Sequence, residues 1–270
     1  MTLEIEYQDR TVVVVGGTSG INQGVALGFA RLGARVAVAS RKVEKVEATV
    51  GLLEAAGASA FGGVADVRDF DALSVFFEQA QAALGDIDVL VSGAAGNFPA
   101  LVNGMSANAF KTVVDIDLNG TFNVMRAAYP QLRKPGASVI NISAPQAFLA
   151  MQAQAHVCAA KAGVDMVTRC LALEWGSDGI RVNSIVPGPI AGTEGMDRLA
   201  PSAAHRERVC AAVPLGRMGE PGDIADCAAF LGSDLARYIS GVVLPVDGGW
   251  STAGAGGMTD ALAALAGEPR

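Results

Sequence analysis

Thr11-Val12-Val13-Val14-Val15 is a short unbroken run of β-branched residues, the pattern of a strand buried on both faces of a parallel sheet. It leads into Gly16-Gly17-Thr18-Ser19-Gly20-Ile21-Asn22-Gln23-Gly24. Val25, Ala26, Phe29 and Ala30 then recur at helical spacing until Gly33. The alternation continues with a strand over 36–40, a helix over 43–56, a strand near 59–64, a helix over 70–84 and a strand over 87–92. Residues 107–132 predict one long helix packed through Val113, Ile116, Leu118, Phe122 and Met125; Asp115 and Asp117 interrupt it, and Asp117 falls among the apolar positions. A strand over 138–143, a helix carrying Lys161 to Trp175 and a strand over 181–186 come next. A weakly periodic stretch then runs to Arg217, before a helix over 221–232 and a last strand over 242–246. Such alternation implies right-handed crossovers and an α/β fold, a Rossmann-like doubly wound sheet of about seven parallel strands with helices on both faces.

Composition narrows the class. A chain of 270 residues, 51% of them apolar and with no Pro/Ser-rich or charged linker, is expected to form one domain over 1–255. A substrate lid at about 188–217 and a C-terminal tail over 256–270 complete that expectation. A net charge of −7 argues against nucleic acid or an anionic membrane surface as the main partner, so an anionic ligand would need local arginines. Cys158, Cys170, Cys210 and Cys227 lack metal or disulfide spacing, so no metal is expected and a reducing compartment fits. The acidic N-terminus (Glu4, Glu6, Asp9) lacks a signal-peptide pattern, and no apolar run is long enough to span a bilayer. Glu268-Pro269-Arg270 is not an S-K-L address. The expected location is a bacterial cytoplasm.

Strand, glycine turn and helix in that order form a setting in which backbone N–H groups and a helix N-terminus hold a pyrophosphate. The second strand ends in Ser40-Arg41, where an acid would accept hydrogen bonds from a ribose 2′-hydroxyl; an arginine there favours a 2′-phosphate, hence NADP(H). Asp66 falls just past the third strand, near where an adenine edge would lie, and Asp69 suits a helix cap. The small residues of Ser92-Gly93-Ala94-Ala95-Gly96-Asn97-Phe98-Pro99 let backbone approach a flat ring. Lys161 shares its helix face with Val157, within about 40°, while His156 lies about 140° away and Cys158 about 60° away. The histidine reads as packed or hydrogen-bonded structure rather than a catalytic acid, and the cysteine as packing.

Over about residues 8–252 the chain resembles the short-chain dehydrogenase/reductase family. The resemblance rests on Gly16-x-x-x-Gly20-Ile21, Asp66-Val67, Ala94-Ala95-Gly96, Asn141-Ile142-Ser143, Lys161, Arg181-Val182-Asn183-Ser184, Pro187-Gly188 and Asp247-Gly248-Gly249. The chain departs from the family pattern at Asn22, where a glycine is usual. It departs again in the catalytic set of Asn, Ser, Tyr and Lys, whose first three places hold Asp117, Ala144 and Val157 while the lysine is kept as Lys161. Within the family it is similar to the 2,4-dienoyl-CoA reductases, especially the peroxisomal type, through Ala94–Phe98, Asn108–Val113, Asp115-Ile116-Asp117, Gly120–Val124 and Gly188–Gly195.

The resemblance implies that NADP(H) meets Gly16, Thr18, Ser19, Gly20 and Ile21 at the pyrophosphate, Ser40 and Arg41 at the 2′-phosphate, and Asp66 and Val67 at the adenine. Ala94, Lys161, Pro187, Gly188, Ile190 and Thr193 would surround the nicotinamide half. An acyl-CoA substrate would meet Arg41, Arg68 and Arg198 through its phosphates and Phe98, Ser106 and Asn108 along its acyl chain. Lys161 and Asp117 would be catalytic, and the assembly a homotetramer. Loss of the tyrosine argues against ordinary ketone reduction and suits a diene, whose reduction turns no carbonyl into an alcohol. The implied activity is NADPH-dependent reduction of a 2,4-dienoyl-CoA to a 3-enoyl-CoA in unsaturated fatty acid β-oxidation. Two alternatives stand beside it: a dehydrogenase of 3-oxoacyl thioesters or secondary alcohols, and a non-catalytic NADP(H)-binding protein. Ser143 lies one residue from the family's serine place, which on a strand is the opposite face; Gln146 and Gln154 are spare donors.

Overall fold

A computed structural model describes residues 5–253. Seven strands, β1 (Thr11–Val15), β2 (Arg35–Ser40), β3 (Ala60–Val64), β4 (Ile87–Ser92), β5 (Ser138–Ile142), β6 (Arg181–Pro187) and β7 (Val243–Val246), pair in parallel in the order β3-β2-β1-β4-β5-β6-β7. The strand order reverses between β1 and β4, which opens a crevice at the carboxyl ends of the strands.

Because strand side chains alternate, the two faces of the sheet carry different cores. Val12, Val14, Val36, Val38, Val89 and Val91 pack against α1 (Gly20–Arg31), α2 (Val43–Ala55) and α9 (Pro221–Gly232). Val13, Val15, Ala37, Leu90, Val139 and Val182 pack against α3 (Phe70–Leu84), α5 (Gly120–Ala128) and α6 (Ala155–Glu174). Gly24 and Gly28 let α1 and α9 approach closely: a Cβ at Gly24 would stand 2.3 Å from that of Pro221, and one at Gly28 would stand 2.6 Å from that of Ala225.

The long helix expected over 107–132 is instead broken. It consists of α4 (Ala107–Val114), a π turn over Asp115–Asn119 and α5, with a 3₁₀ turn over Tyr129–Gln131 after it. A π turn inserts an extra residue and rotates the succeeding helix about its axis, so Asp117 points inward while Asp115 stays at the surface, bonded to Lys111 and to Asn119. The stretch after β6 is also more regular than its sequence suggests, with α7 (Glu194–Leu199) capped by Thr193 and α8 (Ala203–Ala212) capped by Ser202. Among the described residues, no helix is long and apolar enough to cross a membrane. The tail expected over 256–270 lies outside the described residues.

Candidate active site

The crevice beside β1 opens on a glycine turn and a helix N-terminus. Gly16 leaves β1 at φ +78°, and a Cβ there would stand 2.8 Å from the amide nitrogen of Ala94, so only glycine lets this turn close on the β4 loop. Ser19 caps α1 with its backbone, its side chain takes no capping bond, and the first turn of α1 holds no acid. The helix N-terminus therefore faces the crevice with its partial positive charge. Asn22, where the family pattern has glycine, is buried and donates to the carbonyl of Gly93 at 2.8 Å, tying the turn to the end of β4.

A cavity of about 320 Å³ runs from Gly16, Thr18 and Ser19 past Ser40 and Arg41 to Asp66 and Val67, with Ala94 and Ile116 on its opposite wall. Lys42 and Lys45 add two cations to Arg41 at the mouth of β2, and Glu194 of α7 borders the other side. Sequence reasoning missed both lysines. The signal was present in Arg41, Lys42 and Lys45, three cations clustered where the second strand passes into the next helix. These features fit an NADP-type dinucleotide: a glycine cradle, a helix N-terminus and three cations near one strand end.

Asp66 accepts from the backbone N–H of Arg68 and from its guanidinium at 3.0 and 2.6 Å, which holds its carboxyl below the usual range. Arg68 is thus committed to Asp66. Asp69 caps α3 by accepting from Ala72. Val67 is fixed from behind, its carbonyl accepting from Asn123 at 3.0 Å.

Deeper in the crevice, the Nζ of Lys161 donates to the carbonyl of Ile142 at 3.0 Å and stands 3.6 Å from Oδ2 of Asp117, an ion-pair distance too long for a hydrogen bond. Oδ1 of Asp117 accepts from the amide of Gly96 at 2.7 Å. Asp117 is only 1% exposed, so its carboxyl lies beneath the 94–98 loop. Burial pushes that carboxyl up from its ordinary value, against the lowering pulls of Lys161, the Gly96 amide and His156. Val157, in the family's tyrosine place, is buried. Ser143 follows Asn141 onto the α6 face, beside Asp165, whose carboxyl is also pushed up by burial. Cys158 directs its thiol to the carbonyl of Leu149.

Phe98 packs its ring on His156, centroids 4.5 Å apart. Gln154 donates to its neighbour's carbonyl at Ala153 and reaches that of Phe98 at 3.5 Å. Ser106 is an exposed N-cap whose hydroxyl accepts from Ala109, and Asn108 is exposed on the first turn of α4. Both lie away from the buried cluster. Thr193 packs near Gly20, 3.6 Å from a Cβ built there, and bonds back to the carbonyl of Ile190 at 2.9 Å. Gly188 passes so close to Asp247 that a Cβ would stand 2.6 Å from that residue's Cα. Arg198 belongs to α7, and its side chain lies outside what is described.

Residues 15–251 match the family profile described as Enoyl-(Acyl carrier protein) reductase. A Rattus norvegicus protein named peroxisomal 2,4-dienoyl-CoA reductase, (3E)-enoyl-CoA-producing, is 43% identical, the match covering 91% of this chain and 85% of that one. A Bacillus subtilis protein named "Probable 2,4-dienoyl-CoA reductase", (2E)-enoyl-CoA-producing, is 40% identical over 90% of this chain and 96% of its own. Among solved structures, a short-chain type dehydrogenase/reductase from Mycobacterium ulcerans superposes with a TM-score of 0.87 at 32% identity, covering 92% of this chain and 91% of that one. A short chain dehydrogenase from Bacillus anthracis gives 0.79 at 37% identity over 90% and 96%.

Proposed function

The chain belongs to the short-chain dehydrogenase/reductase family, and on that premise we propose that it is an NADPH-dependent reductase of 2,4-dienoyl-CoA thioesters. The observation that carries the reading is an alkyl group, Val157, in the place of the tyrosine hydroxyl, beside a buried pair of Asp117 and Lys161. A site without a phenol is poor at giving a proton to a carbonyl oxygen that becomes an alcohol. Reduction of a conjugated thioester asks instead for charge stabilisation and a proton for carbon.

NADPH, when bound, would supply a hydride for the far carbon of the diene. Lys161 would hold the nicotinamide ribose and place its positive charge near the thioester oxygen, where negative charge develops. Asp117 is covered by the 94–98 loop, so it works through the ammonium of Lys161 rather than by touching substrate. Burial raises its proton affinity, and it would supply or position the proton that carbon receives. Protonation next to the thioester gives a 3-enoyl product, as in the relatives named (3E)-enoyl-CoA-producing. The Bacillus subtilis relative is named for the other product, and locating the double bond distinguishes the two.

Arg41 with Lys42 and Lys45 would select the 2′-phosphate. Arg41→Ala is expected to raise KM for NADPH roughly 10- to 100-fold, the cost of one or two charge-assisted hydrogen bonds, while leaving KM for NADH nearly unchanged. Steady-state kinetics with both nucleotides reads this directly. Phe98 would border the acyl chain, and Arg198 in the lid at about 188–217 would meet phosphates of coenzyme A; Ser106 and Asn108 would lie further out on α4. Phe122, Met166 and Leu173, exposed on α5 and α6, support a homotetramer formed through these helices. Four free cysteines and the bacterial relative support a reducing, bacterial cytoplasmic setting.

The test is NADPH oxidation with a medium-chain trans-2,trans-4-dienoyl-CoA beside a 3-oxoacyl-CoA of similar length. Rapid oxidation with the diene alone is expected. Oxidation with the oxo compound alone would overturn the reading.

A further inference from the structure

Asn22 is the third residue of α1 and stands, 8% exposed, on the wall of the dinucleotide crevice. Its Nδ2 donates to the carbonyl of Gly93 at 2.8 Å, while its Oδ1 is buried without a hydrogen-bond partner among the described residues. Turning the amide over would set Oδ1 against that carbonyl, acceptor facing acceptor, so chemistry fixes which atom donates. An asparagine here costs helix propensity and leaves one polar atom dry. The bond to Gly93 is the interaction that offsets both.

Gly93 is shaped to receive that bond. Its backbone is not in the left-handed region, so space rather than dihedral angle decides the residue type. A Cβ there would stand 2.6 Å from Cγ of Asn22 and nearer still to Oδ1 and Nδ2. Any side chain at this position therefore displaces the amide of Asn22. Gly93 also donates its own N–H to the carbonyl of Val15 at 3.0 Å, and three residues on Gly96 donates to Oδ1 of Asp117 at 2.7 Å. Only Ala94 and Ala95 separate the two side-chain anchors, and both line the crevice. One short loop thus joins the first turn of α1, whose unpaired N–H groups would meet a pyrophosphate, to the carboxyl beside Lys161.

We propose that Asn22 is a positioning residue that sets the 93–96 loop between the dinucleotide and Asp117, its amide and the bare Cα of Gly93 acting as one unit. The catalytic consequence rests on the reductase reading. Asn22 reaches the reacting atoms only through the loop, which its side chain holds at one end as Asp117 holds it at the other. Without the amide, the Gly93 carbonyl loses its side-chain partner and the wall of the crevice is free to shift toward or away from the ring it faces. A displacement of about 1 Å there is enough to cost on the order of 10²-fold in rate, with little effect on how tightly the rest of the dinucleotide is held.

Asn22→Ala removes the amide and keeps the helix, whereas Gly93→Ala keeps Asn22 and pushes its amide aside, so the two variants lose the same bond by different routes. Asn22→Asp, which keeps the shape without the donor, carries the test if Gly93→Ala does not fold, and is expected to match Asn22→Ala. The first readout needs no turnover: amide hydrogen exchange of residues 92–99, followed by mass spectrometry with and without NADP⁺. Exchange without nucleotide is expected to be about tenfold faster in each variant, the worth of one hydrogen bond, and the protection given by NADP⁺ smaller than in the wild type. The second is kcat with the dienoyl-CoA at saturating NADPH, expected to fall about tenfold or more while NADPH affinity stays within about threefold. In the double variant the new methyl group at position 93 enters the space the amide has left, and losses no greater than those of either single variant are expected, because the shared bond is lost once. Losses that multiply in the double variant would overturn the proposal, as would unchanged exchange and kcat in Asn22→Ala. Full recovery in the double variant would overturn it too, leaving Asn22 as packing. If the wild-type protein leaves the dienoyl thioester untouched, the functional reading fails, while hydrogen exchange still decides the role of Asn22.

Discussion

Replacing Lys161 by alanine is expected to lower kcat/KM about 10³-fold or more, with KM for NADPH raised as well, because one side chain serves the cofactor and the proton path. The ammonium is fixed by the carbonyl of Ile142 and faced by Asp117, so its position is set before any ligand arrives. Lys161→Ala also leaves the buried Ile142 carbonyl and Asp117 carboxyl without that neighbour, where a lost partner costs about 1–3 kcal/mol. A modest fall in denaturation midpoint should accompany the kinetic loss. Single-turnover kinetics separates the effects: the hydride step should remain slow at saturating NADPH. Full recovery at high NADPH would mean that Lys161 only binds.

Asp117 gives the second large effect. Asp117→Ala is expected to reduce kcat by about 10²- to 10⁴-fold, the range for loss of a general acid–base group. NADPH binding, measured by fluorescence titration, should stay within a few-fold, because the glycine turn, Arg41 and Lys161 remain in place. Asp117→Asn separates charge from geometry. Its amide oxygen can still accept from Gly96, now 2.7 Å from Oδ1, so the 94–98 loop should hold while the exchangeable proton is lost. Activity close to that of Asp117→Ala would identify the proton as what matters; activity close to wild type would identify loop anchoring. Because burial raises the proton affinity of Asp117, wild-type activity should decline as pH rises through the titration of that carboxyl, and this limb should vanish in Asp117→Asn.

The strands, their parallel order and the glycine turn could be read from Thr11–Val15, the spacing after Gly16 and the repeated apolar runs, because those patterns depend on burial and local backbone alone. The π turn at Asp115–Asn119 could not. Its sequence has helical periodicity, and no residue type in it marks the extra residue of the turn that buries Asp117. The same break explains why a carboxylate can stand among apolar positions. Likewise, angular arithmetic on α6 separates His156 from the face of Lys161, but it cannot show that the 96–100 loop folds back to roof both His156 and Asp117. Ser106 as a cap and Arg68 as the partner of Asp66 show the opposite limit. The residue types suited a ligand, but local hydrogen bonds already claim part of each side chain.

If the enzyme is a dienoyl-CoA reductase, hydride arrives at the far end of the diene and a proton at carbon, with no alcohol formed. Reduction of trans-2,trans-4-decadienoyl-CoA with NADPH deuterated on the transferring face, with NMR of the product, tests this most directly. Deuterium at C5 and a remaining double bond at C3 are the expected result. Deuterium at C3, or no incorporation from the diene beside a deuterated alcohol from a 3-oxoacyl thioester, would contradict it.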